Sequence, residues 1–346
     1  MLARIHSFWF GLLAGLGMVP FALAENHTLR LHHFLGPTSP AQTVLLEPFA
    51  QQLFEASNGQ LDINIHPAMS LGGAPGDLYQ QLIDGDVDLI WTLAGYHPGQ
   101  FPRTEVFELP SVHFRSAYAT NRAIYANFDL IAADYTEVKP LLVHVHGGNA
   151  LHLKNRNVHS TADVQNLRIR TPSRTGSWLL EAWGAQEVSM PAPRIHGAFA
   201  SNEIDAALIP FEIFSSLGLE DQVTETVQGS DGSRFGTSVF LLLMNKERYE
   251  SLPANLRQII DDQIGQDLYR NMGLAWDDLE APGFRTHRER VNRLNLDTIY
   301  DFEALSELVV SRWIEDVATS GIDGDTLVRE ARRYIARYSR VITTLE

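Results

Sequence analysis

The strongest constraint on what this chain can fold into is a pattern written twice. In the first copy Asp77 opens a helical run with Leu78 and Leu82, Gly85 closes it, and Val87-Asp88-Leu89-Ile90-Trp91 follows as an apolar strand. In the second copy Pro193 opens a short helix around Ile195 and Phe199, Ser201-Asn202 breaks it, and Ile204-Asp205-Ala206-Ala207-Leu208-Ile209 forms the strand. Each copy is helix, turn, a β-branched residue, an aspartate and then an apolar run. Strands that are apolar on both faces belong to sheets covered by helices on both sides, the α/β arrangement. Two such units predict two lobes of related topology, and bilobed α/β proteins bind ligands in the cleft between lobes.

The surrounding chain fits this plan. Thr28–Phe34 reads as a strand, Gly36-Pro37-Thr38-Ser39-Pro40 as a turn, and Leu45, Phe49 and Leu53 as one face of a helix. Asn58-Gly59 ends that helix and Leu61–Ile65 alternates as a second strand, completing a βαβ unit. Val143–Val145 leads into Gly147-Gly148-Asn149, and Val239–Met244 returns after the second copy, so the chain crosses between lobes at two candidate hinges. Pro253 starts a long helix through Ile259, Ile260, Ile264 and Leu268 toward Trp276, which Pro282 is expected to interrupt locally. Leu305, Leu308, Val309 and Trp313 form a further helix ended by Gly321, and Thr326–Tyr338 is the last. A chain of 346 residues is long enough for about two domains.

Residues 1–24 read as a secretory signal: Arg4 and His6 precede an apolar run from Phe8 to Phe21, and Ala22-Leu23-Ala24 supplies small cleavage-site residues. The run is short for a membrane span and Pro20 interrupts it. An exported protein is the expectation. The formal charge of −15 argues against nucleic acid or anionic lipid as the main partner. With no cysteine, disulfides, thiolate metal sites and cysteine catalysis are excluded.

Motifs for chemistry are mostly missing. The sequence holds no P-loop, G-x-G-x-x-G, G-x-S-x-G or H-E-x-x-H. Gly72-Gly73-Ala74-Pro75-Gly76 precedes a helix but lacks a lysine, and reads as a plain tight loop. His144 and His146 share a strand face, with His152 and His32-His33 nearby in pattern; they suit either a cleft wall or a zinc site, although no nearby carboxylate completes a ligand set. Leu167-Arg168-Ile169-Arg170-Thr171-Pro172-Ser173-Arg174 puts three arginines in a strand and its end. A buried strand arginine needs an anionic partner, either a protein carboxylate or a ligand, and its planar fork suits a carboxylate bidentately.

The stretch Leu167–Ser173 resembles the signature strand of TRAP transporter substrate-binding proteins of the DctP type. Gly184-Ala185, Val188-Ser189-Met190-Pro191, Ile204-Asp205-Ala206, Met244-Asn245-Lys246, Leu252-Pro253 and Gly321-Ile322-Asp323-Gly324 follow in family order. Leu71-Gly72-Gly73, Asp84-Gly85-Asp86-Val87-Asp88 and Gly95-Tyr96-His97-Pro98-Gly99 fit upstream. The resemblance implies a periplasmic-binding-protein-like α/β clamshell with a long helix spanning the lobes. The expected division is a signal peptide at 1–24, lobe I at 25–147 plus 236–276, and lobe II at 148–235 plus 277–346. It further implies a periplasmic carrier that closes on a small organic acid and delivers it to small and large TRAP membrane subunits. No nucleic acid partner, no membrane-embedded part and no enzymatic activity are expected. The family's hallmark arginine, which pairs with the ligand carboxylate, is Arg170 here.

The sequence departs from the family pattern at several pocket positions. Where relatives that bind sugar acids often carry a second arginine, this chain has Ala150; an asparagine position is Phe34, a polar one Ile209, and an acidic one Leu93. These changes favour a monocarboxylate with an apolar or aromatic body. Trp91, Phe34 and Phe211 are candidate walls, Asn149 and Ser173 candidate hydrogen-bonding groups, and Arg174 and Glu212 candidate rim residues. No cofactor is expected, although a cation bridging the ligand stays open, as some family members use one. A sensory or scavenging binding protein is an alternative, and an exported metal enzyme using His144 and His146 a remoter one.

Overall fold

The computed structural model describes residues 26–343, so the expected signal segment at 1–24 lies outside the described residues. Among the described residues no helix is long and apolar enough to cross a membrane. Within the described residues, eleven strands form two sheets. They are β1 (His27–His33), β2 (Leu61–His66), β3 (Leu89–Leu93) and β4 (Val138–Val145), then β5 (Ala150–Leu153), β6 (Arg168–Thr171), β7 (Gln186–Ser189), β8 (Ala206–Ile209) and β9 (Glu225–Gly229), then β10 (Val239–Asn245) and β11 (Val291–Leu294).

The first sheet runs β2-β1-β3-β10-β4 and the second β11-β9-β5-β8-β6-β7. In the first, β1 is parallel to β2 and β3, while β10 is antiparallel to both β3 and β4. In the second, β6 is parallel to β7 and β8, while β5 is antiparallel to β8 and β9. The two sheets therefore share an arrangement: two parallel pairings, then an antiparallel strand contributed by a chain crossing. These crossings are β4 to β5, through Gly147-Gly148, and β9 to β10.

The repeated aspartate has a physical reason. Asp88 donates its N–H to the Arg30 carbonyl (3.0 Å), and its carboxylate accepts the Arg30 N–H (2.7 Å). Asp205 does the same to Arg168, with N–H to carbonyl at 2.8 Å and carboxylate to N–H at 3.0 Å. In each lobe the aspartate thus joins the start of the central strand to its parallel neighbour. A carboxylate is suited to this because it accepts a backbone donor that the parallel ladder leaves unpaired.

Helix Gln266–His287 ties the lobes together. Gly273 lies against the backbone of Tyr118, where an added Cβ would stand 2.4 Å from its Cα. Gly283 lies against the Phe211 carbonyl, where a Cβ would stand 2.2 Å from the oxygen. Only glycine permits both approaches, one to each lobe. The sequence reading differs here in two respects. The break in the long helical region falls between Gln263 and Gln266, and Pro282 sits inside the second helix without ending it. The final helix, Gly324–Thr343, packs on helix Ala117–Ala126 beside the first sheet, whereas Leu296–Ala318 packs on Arg174–Ala182 beside the second. Within the expected second-lobe segment 277–346, the two described helices thus pack against helices of different sheets.

Candidate functional site

A cavity between the two sheets' strand ends contains about 350 Å³ of space not filled by protein atoms, part of it open to solvent. Phe34, Leu93, Tyr96, His146, Ser238 and Phe240 line it from the first-sheet side, and Asn149, Arg170, Ala192, Ile209 and Glu212 from the other. The lobes touch around it. The Tyr96 hydroxyl accepts the Ala192 N–H at 2.8 Å, and a Cβ on Gly95 would meet Ser173 at 2.6 Å. Outside the cavity, Arg174 forms an ion pair with Glu105 at 2.6 Å.

Arg170 is the decisive group. It is the penultimate residue of strand β6 and is 3% exposed. Its Nε donates to the Met190 carbonyl (3.0 Å) and its Nη1 to the Leu208 carbonyl (3.2 Å), so two backbone acceptors fix the plane of the guanidinium. Among the described residues it has no carboxylate partner. Arg168, two residues earlier, is the contrast: it is more exposed and bound bidentately to Asp205 at 3.0 Å. Burial lowers the Arg170 pKa from its ordinary value, with Tyr96 partly offsetting this. The guanidinium still carries its charge at any physiological pH. A buried cation that meets two carbonyls and the Tyr96 hydroxyl but no carboxylate is the arrangement an anionic ligand would complete.

The apolar wall is a stack of rings. Trp91 lies between Phe34 (centroids 5.2 Å, 17°) and Phe240 (4.7 Å, 11°), and donates its indole N–H to His144 Nε2 at 3.1 Å. Phe34 and Phe240 line the cavity while Trp91 stands behind them. Strand pairing explains this: Phe240 is the cross-strand partner of Leu93, so both reach the cavity from neighbouring strand ends.

Of the candidate site residues, Phe34, Leu93, Asn149, Arg170 and Ile209 meet at the cavity. Three others stand elsewhere. Trp91 is one layer back. Ser173 caps helix Arg174–Ala182 by accepting the Gly176 N–H (3.3 Å). Phe211 faces His152, Phe284 and the Arg234 guanidinium, away from the lining. The sequence reading did not single out Tyr96, Ser238 or Phe240, and it placed Glu212 only at the rim. His146, read as a cleft-wall or zinc candidate, does line the cavity. Tyr96 was inside a quoted family segment, and Phe240 lies on the expected return strand; Ser238 carries no such signal.

The histidines serve the fold. His144 accepts from Trp91, and burial holds its pKa down at about 3. His152 bridges Thr226 Oγ1 (2.9 Å) and the Ile209 carbonyl (3.2 Å), and burial keeps it at about 3. His146 Nδ1 accepts the Gly148 N–H at 2.9 Å; burial first, then His113, His144, Arg234 and Arg170, push its pKa well below the usual value. Among the described residues no group of three or more His, Asp or Glu side chains is placed to hold a metal ion.

Comparison with known proteins agrees with this architecture. The family described as bacterial extracellular solute-binding protein, family 7 (DctP), matches residues 31–280. The chain belongs to this family. Family 7 proteins are transport binding proteins and not enzymes, which sets the metal-enzyme alternative aside. A TRAP solute-binding protein from Rhodoferax ferrireducens, solved with copurified benzoate, is 32% identical, with a TM-score of 0.87 over 92% of this chain and 100% of the other. A marine metagenome TRAP solute-binding protein specific for aromatic acid ligands, solved with 3-hydroxybenzoate, is 33% identical, with a TM-score of 0.87 over 91% and 99%. A curated relative, the outer membrane transporter protein TsaT of Comamonas testosteroni, is 22% identical over 87% of this chain and 89% of its own length. The chain is thus a TRAP solute-binding protein with the two-lobed fold of its family.

Proposed function

We propose that this family 7 protein captures an aromatic monocarboxylate between its lobes, with Arg170 as the carboxylate anchor. The observation that carries the reading is a buried arginine without a carboxylate partner, facing a cavity whose opposite wall is a stack of aromatic rings. The ring of the ligand would lie against Phe34 and Phe240, and Leu93 and Ile209 would exclude a second charged group. The two similar TRAP proteins solved with benzoate and 3-hydroxybenzoate support the ligand class. Asn149, whose backbone pairs with Phe235 and Gly236 at the crossing, would orient the carboxylate beside Arg170. The lobes would open about Gly147–Asn149 and 236–240.

In the cell, the protein would lose its leader at residue 24, work in the periplasm, and pass its ligand to the small and large TRAP membrane subunits. A net charge of −15 does not oppose anion capture, because exposed charges are screened beyond about 10 Å while Arg170 acts in a dry cleft. The test is a thermal-shift screen followed by calorimetry. Benzoate and phenylacetate should raise the melting temperature by mass action, and succinate and malate should not. A clear C4-dicarboxylate response with no aromatic response would sink the ligand assignment.

A further inference from the structure

The cavity holds one acidic side chain, Glu212, next to a ligand expected to be an anion. Glu212 follows β8 and its carboxyl is hydrogen-bonded to that of Glu280 from helix Gln266–His287. Glu280 is the member with a cationic partner: it pairs with Arg234 at 3.4 Å and accepts the Glu212 N–H at 3.2 Å, and although burial raises its pKa, Arg234 opposes the rise. Two carboxyls in contact share a proton, because two buried like charges cannot both ionise. Burial first, then Glu280, push the Glu212 pKa well above the usual carboxylate range, so Glu212 is the member that keeps the proton. Glu212 is therefore neutral and does not repel an anionic ligand. It spends its proton on Glu280, and from the protein the carboxyl accepts only backbone N–H groups, those of Glu212 and Ile213. Its Oε2 is buried without a partner.

A neutral carboxyl whose proton is already given away is an acceptor at the cavity wall. An acceptor in a largely apolar pocket is matched by a donor on the ligand, and a ligand lacking one leaves it desolvated and unpaired. Building on the aromatic-carboxylate reading above, we infer that Glu212 is a specificity-determining residue that accepts a hydrogen bond from a ligand hydroxyl, so that the preferred ligands are hydroxylated aromatic monocarboxylates. Arg170 selects the carboxylate and Glu212 selects the substituent. An aromatic acid with a methyl group in place of the hydroxyl has similar bulk but cannot donate.

The experiment is calorimetry on the purified full protein at neutral pH with benzoate, the three hydroxybenzoate isomers and the three methylbenzoate isomers. At least one hydroxybenzoate is expected to bind roughly tenfold or more tightly than benzoate, and its methyl counterpart no tighter than benzoate. Glu212→Leu should bring the hydroxybenzoate-to-benzoate affinity ratio near one, whatever its effect on benzoate itself. Glu212→Gln keeps a carbonyl acceptor and an N–H for Glu280, and should retain the preference. Hydroxybenzoates binding no tighter than benzoate to the wild-type protein would overturn the inference, even if Glu212→Leu fails to fold. So would a preference that survives Glu212→Leu. In both cases benzoate binding leaves the aromatic-carboxylate reading standing. If benzoate and all six derivatives fail to bind, that reading falls, and the inference with it.

Discussion

Arg170 and Arg168 are two residues apart on one strand and have opposite fates. Arg168 spends its guanidinium on Asp205, whereas Arg170 donates to two backbone carbonyls and has no carboxylate partner among the described residues, which is why it is proposed as the ligand anchor. Arg170→Ala should cost roughly 3–5 kcal/mol of carboxylate binding, because an anion left in the cleft would then be uncompensated. Calorimetry with benzoate reads this directly, and unchanged affinity would remove Arg170 from the role. Glu108 gives a residue-level prediction about stability. It is 3% exposed, its Oε1 accepts the Val239 N–H at 2.9 Å, and burial raises its pKa from 4.5 to about 8. Between those values the folded protein holds a proton that the unfolded chain has released, so this group makes stability fall as pH rises from about 4.5 to about 8. Glu108→Gln keeps the acceptor and removes the titration. The variant should melt above the wild type at pH 8 and close to it at pH 5.

At the scale of elements, the sheets and the connecting helix divide the work. Both sheets aim strand ends at the cavity, while helix Gln266–His287 sets the distance between lobes through Gly273 and Gly283. Gly283→Ala would drive a methyl into the Phe211 carbonyl. It should destabilise by roughly 1–3 kcal/mol as an overpacking change, read as a lower midpoint in urea. Gly265→Ala, at the N-terminal end of the same helix with open space around it, serves as the control and should be milder. The sequence revealed most of this layer. Each expected strand appears, because apolar runs between turn residues are a local signal. Pro282 misled because a proline interrupts a helix only where its lost hydrogen bond and ring clash go uncompensated, and the close packing of Gly283 on Phe211 holds this turn in place.

The whole molecule responds to acid through its buried histidines. Burial holds His33, His97 and His113 at about 4, and His144 and His152 at about 3. The unfolded chain takes up protons near 6.5, and these five side chains do not until the pH is much lower. The histidine contribution to stability is therefore full above pH 6.5 and is lost as pH falls from there toward about 4, by up to about 1.4 kcal/mol per pH unit for each group. Glu108, Glu212, Glu280, Asp134, Asp277 and Glu303 work in the opposite direction, because burial raises their pKa values. Chemical denaturation at a series of pH values should show a loss of folding free energy between pH 6.5 and 4 that these carboxyls partly offset. A stability that rises as pH falls through that range would show that the carboxyls outweigh the histidines.

The amino-acid sequence by itself determined the two α/β units, the paired aspartates, the candidate leader and the signature strand that carries Arg170. All of these are local: they depend on periodicity, on turn residues and on spacing within a few tens of positions. It also indicated the apolar character of the pocket, through Phe34, Leu93 and Ile209. Only the tertiary structure decided which side chains face the ligand space. Trp91 and Phe34 are equally plausible walls in one dimension, yet one stacks behind the other. Glu212 and Glu280 lie 68 positions apart, and their shared proton exists only because helix Gln266–His287 packs across the crossing. A cleft is assembled from the ends of strands remote in sequence, so its charge balance is a property of contacts that no local pattern encodes.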